Sequence, residues 1–422
     1  MAVAAMAVPA VQAEKPGLND ISKAEAKEAE AKAEAKEAKK EEKEAPASER
    51  PKIEVCFVLD TTGSMSGLIQ AAKDKIWSIA NELVSAKPAP EIKFGLIGYR
   101  DRGDDYITKV TDLTDDIDDI YGKLMAFSAA GGGDGPESVN QALNEAVTKM
   151  SWNEDKDVLK IIFLVGDAPP HTDYKDDVQY GDSCKEAMKK DLIINAIQCG
   201  SDGATAKIWK EIAGLSEGQY VAIKQSGGAV AMATPFDDEI AALNSDLAGT
   251  VVAYGDERAR RFAGGKVALA RDSAPEAAAA RLDYLKKSKE AAVDAFAADP
   301  ASASGPVPTA RPGSASVIAG GGDLIEQLAD GSLGFEDIED EKLPEELKEL
   351  NEEERTKYVE KRIEDRKVAQ EKLNEALKKR ADFITAEKEK LKKEGKGDSF
   401  DLKVEEIIRT QAAEKGISYD KK

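Results

Sequence analysis

The stretch Lys52-Ile53-Glu54-Val55-Cys56-Phe57-Val58-Leu59-Asp60-Thr61-Thr62-Gly63-Ser64-Met65-Ser66 decides the fold. Its first half, Ile53–Leu59, is a short and almost unbroken apolar run rich in β-branched and aromatic residues, the composition of a strand buried on both faces. The run stops at Asp60, and the polar turn that follows leads into apolar residues at Leu68, Ala72, Ile76, Ile79 and Leu83, one stripe of an amphipathic helix. The same alternation continues downstream. Further strands are expected at Phe94–Tyr99, Ile107–Thr111, Leu159–Val165, Leu192–Gln198 and Tyr220–Ile223, and a second single-stripe helix carries Val139, Leu143, Ala146, Val147 and Met150. Apolar strands separated by such helices predict an α/β domain, with a doubly wound, mostly parallel sheet and helices on both faces.

Outward from this core the composition changes twice. On the amino-terminal side, residues 1–13 read as a signal peptide, an apolar stretch ending in Val11-Gln12-Ala13, although no basic residue precedes Lys15. Residues 14–51 are a charged Ala/Glu/Lys spacer with no apolar stripe to bury. The strand-and-helix pattern occupies 52–254. A helical extension follows at 255–297, then a Pro/Ala/Ser/Gly-rich flexible linker at 298–322. Last comes a charged helical region at 323–422, whose leucines are too irregularly spaced for one long coiled coil and suit a helical C-terminal appendage.

Charge and rare residues exclude several functions. Acidic residues outnumber basic ones by 81 to 60, a formal charge of −21, so nucleic acid and anionic membranes are not expected as partners. No apolar stretch approaches the ~20 residues of a transmembrane helix. Three cysteines without a CxxC and one histidine exclude zinc ribbons and fingers, a facial metal triad and multi-disulfide scaffolds, so a metal site is expected to be made of oxygen ligands.

In an open α/β sheet the ligand-binding residues follow the carboxyl ends of the strands. Three such loops carry unusual chemistry: Asp60-Thr61-Thr62-Gly63-Ser64, Gly131-Gly132-Gly133-Asp134-Gly135-Pro136-Glu137, and Gly166-Asp167-Ala168-Pro169-Pro170-His171. Carboxylates and hydroxyls at alternate positions face one point. Such a set suits a hard divalent cation, Mg2+ or else Ca2+ or Mn2+. Asp60 and Ser64 are also good helix caps, the simpler reading of those two residues. Asp101, Asp104 and Asp105 read as a solvated acidic turn, with a place beside the site as the alternative for Asp101. Trp77 and Trp209 read as packing residues, with partner anchoring as the alternative.

Asp60-Thr61-Thr62-Gly63-Ser64 resembles the DxSxS metal-ion-dependent adhesion site (MIDAS) motif of von Willebrand factor A (VWA) domains, with Thr62 at the middle serine. With Tyr99-Arg100-Asp101, Gly133-Asp134-Gly135-Pro136-Glu137 and Asp167-Ala168-Pro169-Pro170-His171, the set resembles a bacterial VWA-containing subgroup over roughly residues 50–254. The resemblance implies a VWA/Rossmann-like fold and a metal held by Asp60, Thr62, Ser64, Asp134 and Asp167. Glu137 is the substitute for Asp134, where the family supplies a threonine, and His171 and Asp101 are second-choice metal ligands or rim residues. It further implies a non-enzymatic, cation-dependent module that binds a protein ligand offering a carboxylate. An envelope scaffold with a purely structural metal is the alternative. A haloacid dehalogenase-like phosphatase is weaker, because Thr62 stands where that chemistry needs an acid. The signal-like start points to a periplasmic or secreted protein, with a cytoplasmic one as the alternative. On export, Cys184 and Cys199 are expected to form a disulfide, because a helix start and the end of the following strand meet at one sheet edge.

Overall fold

The computed structural model describes residues 50–225, 233–298, 322–393 apart from 330 and 332, and 400–419. The signal-like segment, nearly all of the charged spacer and nearly all of the 298–322 linker therefore lie outside the described residues. In chain order the elements begin with β1 (Lys52–Asp60), α1 (Ser66–Val84), β2 (Glu91–Tyr99), β3 (Thr108–Thr114), α2 (Ile117–Met125), α3 (Val139–Thr148) and β4 (Leu159–Gly166). They continue with α4 (Tyr180–Lys189), β5 (Leu192–Cys199), α5 (Gly203–Leu215) and β6 (Tyr220–Ile223). The carboxyl-terminal half is helical: α6 (Asp237–Thr250), α7 (Glu257–Asp272), α8 (Pro275–Ala298), α9 (Leu324–Ala329), α10 (Glu345–Lys348), α11 (Glu352–Lys393) and α12 (Phe400–Glu414).

All six expected strands form one sheet in the order β3-β2-β1-β4-β5-β6, parallel throughout except for the antiparallel β2–β3 pair. Strand alternation divides its core residues between two layers. Val55, Phe57 and Leu59 of β1 join Ile161, Phe163 and Val165 of β4 on one face, under α1 and α2. Cys56 and Val58 join Ile162 and Leu164 on the other, under α3, α4 and α5. Trp77 and Trp209 are fully buried: Trp77 packs on Tyr121 and Tyr284, and Trp209 donates its indole N–H to Ala168 O at 3.1 Å, so packing is their use.

Strand parity also corrects the expected disulfide. All three cysteines are free and buried. Cys199 lies on the face of β5 that carries Ile197, whereas α4 packs on the opposite face, and Cys184 turns its thiol toward Ile212 O at 3.7 Å. The helix and strand do meet at one edge, but the sheet stands between the two sulfurs. The pairing supplies no argument for export.

The described residues beyond 254 are mostly helical, and they are part of the core. With the sheet they form one compact unit. Val404, Ile407, Ile408 and Ala412 of α12 and Tyr284 of α8 join the layer over α1. In the middle of β5 the buried Asn195 exchanges two hydrogen bonds, 3.0 and 2.8 Å, with Gln411 of α12. Arg281 of α8 holds the buried Asp118 carboxylate with two 2.7 Å bonds. Within the 42-residue α11, Ala369, Leu373, Ala376 and Leu377 pack on Leu243 and Leu247 of α6 and Leu282 of α8, so its apolar residues serve a small helical bundle and not a coiled coil. The layer over α1 therefore draws on residues well beyond the 52–254 strand-and-helix pattern.

Candidate metal centre

The centre of the sheet is where the chain order reverses. From β1 the chain turns outward to β2 and β3, then returns to place β4 on the other side of β1, so the loops leaving β1 and β4 diverge and open a crevice. Parallel register sets their ends level, with Asp60 beside Tyr99 and Leu59 beside Val165. Gly166 completes the approach: a Cβ there would strike the Tyr99 hydroxyl and lie 3.0 Å from Asp60 Cβ. The sequence thus brings Asp60 and Asp167 to the same crevice.

Asp60 is fully buried at the strand end. Its Oδ1 accepts from Thr62 N at 2.8 Å and from Thr62 Oγ1 at 2.6 Å, while Oδ2 is buried with no hydrogen-bond partner. Thr62 Oγ1 is also 3.4 Å from Ser64 Oγ. The glycine loop closes over this turn through Gly63 N to Gly131 O at 3.2 Å and Ala130 N to Thr61 O at 3.2 Å. Gly131 and Gly132 both have φ of +78°, which a side chain would strain.

A second seam joins the other two loops. Glu137 N donates to Pro169 O, and His171 N donates back to Glu137 O, at 3.0 and 3.1 Å. This seam fixes Glu137, whose side chain turns toward the Asp60 loop: a Cβ on Gly132 would sit 3.0 Å from Glu137 Oε1 and 3.3 Å from Thr62 Cβ. Glu137 Oε2 is the second buried carboxylate oxygen of the crevice without a partner.

Of the expected ligands, Asp60, Thr62 and Ser64 stand together, with Asp167 at the adjoining strand end. Asp134 does not share that grouping. Its exposed carboxylate lies 3.4 Å from His171 Nε2, and Glu137, held as the substitute, occupies the position beside Thr62. His171 is buried rather than at a solvated rim, and Asp101 is no solvated turn: it accepts from Ser138 Oγ at 2.9 Å and from the Tyr174 hydroxyl at 3.1 Å. Asp104 instead holds the loops, accepting from the backbone N–H of Asp101 and Gly132. One contact escaped the sequence reading. Gln225 donates to Asp167 Oδ2 at 2.6 Å, and its position just past β6, at the carboxyl edge, is the signal that could have found it.

Two orphaned carboxylate oxygens, two hydroxyls and a third carboxylate make an all-oxygen donor set, which fits a hard divalent cation. The electrostatics agree. Burial, helped by the Asp167 charge, outweighs the opposing effect of the Thr62 hydrogen bonds and of the Asp167 backbone N–H and pushes the Asp60 carboxyl up to about 7. Burial and the charges of Asp60, Asp101, Asp104 and Asp167 push Glu137 up to about 9. Between about pH 4 and 9 the native state therefore binds more protons than the unfolded chain, and stability falls as pH rises through that window. Metal-free protein is expected to lose up to roughly 6 kcal/mol between pH 5.5 and 8.5, about 2 from Asp60 and about 4 from Glu137, and bound cation to flatten the slope. Urea unfolding with and without Mg2+ across that range measures it.

Residues 54–234 match the family model of the von Willebrand factor A domain. The chain is 29% identical over 119 residues to an Acanthamoeba polyphaga mimivirus protein described as an ariadne-like RING finger protein. It is 33% identical over 120 residues to von Willebrand factor A domain-containing protein 7 of Rattus norvegicus. Each alignment takes in 28% of this chain but only 11% and 12% of those relatives. Among solved structures, the SpRpn10 VWA domain shares 18% identity at a TM-score of 0.33, over 42% of this chain and 89% of that one. The mussel byssus proximal thread matrix protein 1 with a zinc-occupied MIDAS motif also shares 18% at 0.33, over 41% and 42%.

Proposed function

We propose that this chain, whose residues 54–234 match the von Willebrand factor A domain, is a divalent-cation-dependent, non-enzymatic protein-binding module. Asp60, Thr62, Ser64, Glu137 and Asp167 would hold the ion, Mg2+ by the hardness of the donors, and the bound cation would supply an electrophilic point for a carboxylate of the partner protein. The observation that carries this reading is the pair of buried, unpartnered oxygens, Asp60 Oδ2 and Glu137 Oε2, in a crevice that also presents two hydroxyls. A partnerless buried carboxylate is costly to keep, and a cation offsets the cost. No helix among the described residues is long and apolar enough to cross a membrane. On this reading the place of action is the periplasm or the exterior, the cytoplasm being the alternative.

One observation favours a second reading. Glu137 brings a third carboxylate to the crevice, which lowers the electrophilicity of a bound ion and suits a metal that only stabilises a scaffold. Capture from the native organism separates the two. Wild-type chain in Mg2+ is expected to retain a partner that EDTA releases and that Asp60→Ala fails to retain. A partner held equally well by both proteins, in EDTA as in Mg2+, would assign the metal to the scaffold.

A further inference from the structure

We propose that Asp101, Asp134 and His171 form a second metal site beside the all-oxygen centre, one that takes Zn2+ or a similar borderline divalent ion through one imidazole nitrogen and two carboxylate oxygens. His171 Nε2 lies 3.4 Å from Asp101 Oδ2 and 3.4 Å from Asp134 Oδ1, and one ligand atom from each residue lies within 4.8 Å of the others. The histidine side chain is only 5% exposed, yet Nε2 has no hydrogen-bond partner.

The surroundings fix which nitrogen faces the carboxylates. His171 Nδ1 is 2.8 Å from Asp173 Oδ1, so Asp173 accepts the Nδ1 proton and Nε2 is the nitrogen left facing the two carboxylates. Tyr174 stacks on the ring with 4.0 Å between centroids and donates its hydroxyl to Asp101. The ring and one of the carboxylates are thus held in place by the same residue. Three electron-rich atoms that face one another need a positive charge among them.

That charge is either a proton on Nε2 or a metal ion, and the distances choose. A charge-assisted N–H···O bond closes to ~2.7–2.9 Å, and neither contact does. A tetrahedral ion with bonds of ~2.0–2.1 Å sets its ligand atoms ~3.3–3.4 Å apart, the spacing of both contacts from His171 Nε2. A carboxylate on the far ring nitrogen is also how proteins orient a metal-binding histidine. Asp134 is well exposed, which gives an ion a way in from solvent and leaves room for water as a fourth ligand. The imidazole is what distinguishes this site from its neighbour, since nitrogen donors favour Zn2+ over Mg2+.

The test adds Zn2+, or Co2+ as its spectroscopic substitute, to metal-free full chain in excess Mg2+. We expect one equivalent of Co2+ to give the visible bands of a four-coordinate site. Asp134→Asn, a change at an exposed residue that leaves folding intact, and His171→Ala should each weaken Zn2+ binding at least tenfold. Asp173→Asn should weaken it by about 10–100-fold, and Asp60→Asn should leave it unchanged. Zn2+ affinity that is the same in wild type, Asp134→Asn and His171→Ala, or no Zn2+ binding by wild type, would overturn the site and leave His171 as an imidazolium between two carboxylates. Loss of Zn2+ binding in Asp60→Asn alone would place the ion in the all-oxygen centre instead.

Discussion

A chain ending at Lys393 is expected to lose its cooperative fold. The missing residues include Val404, Ile407, Ile408, Ala412 and Ile417, none more than 2% exposed, all in the layer that covers α1. Burying an aliphatic side chain contributes ~1.5–3 kcal/mol, so these contribute on the order of 10 kcal/mol as an upper bound. A typical domain has only ~5–15 kcal/mol in total. The truncation also takes Gln411 from the Asn195 side chain in the middle of β5, which adds ~1–3 kcal/mol for buried polar atoms left unpaired. Ending the chain at 254 is worse, since Arg281 then leaves the buried Asp118 carboxylate, a loss of ~3–5 kcal/mol. Thermal melts by circular dichroism decide the matter. A chain of residues 50–393 that melts cooperatively at the full-length temperature would show that α12 adds nothing to the core.

The second large effect concerns Asp60. Asp60→Asn keeps an oxygen to accept from Thr62 N and Thr62 Oγ1 and removes a buried charge whose Oδ2 has no partner. Metal-free mutant is therefore expected to be more stable than metal-free wild type at pH 8, where the wild-type carboxyl, pushed up to about 7, is ionised. In Mg2+ the gap narrows. Wild type gains about 2.7 kcal/mol at a cation concentration 100 times the dissociation constant, and the mutant gains nothing. Unfolding curves of both proteins with and without Mg2+ should show this difference in response. Parallel responses to Mg2+ would remove Asp60 from the site.

The fold and the outer features of the site were legible for different reasons. Runs such as Ile53–Leu59 and Leu159–Val165 are apolar on both faces because both faces are covered, and the first residues after such a run lie at the carboxyl edge. Asp60, directly after the first run, and Asp167, two residues after the second, are placed at the crevice by that rule. The glycine loop was harder, because its path depends on backbone bonds to Thr61 and Gly63 and on two positive φ values, none of which spacing reveals. Asp134 and Glu137 are three residues apart, and only the seam from Glu137 to Pro169 and His171 selects which one turns toward Thr62. Cys199 was misplaced by parity alone, a single position along β5. The α12 contribution was hidden because residues such as Ile407 and Ile408 sit among charges that cover the exposed side of the helix, so the segment reads as solvated.

Calorimetric titration of Mg2+ into metal-free full chain near pH 7, in two buffers of different ionisation enthalpy, tests the all-oxygen centre most directly. Asp60 and Glu137 are partly or wholly protonated at that pH, so the cation must displace protons as it binds. One Mg2+ per chain is predicted, with proton release, abolished in Asp60→Asn and Glu137→Gln and retained in Asp134→Asn. Wild type that takes up no Mg2+, or binding that survives both Asp60→Asn and Glu137→Gln while Asp134→Asn destroys it, would contradict the assignment.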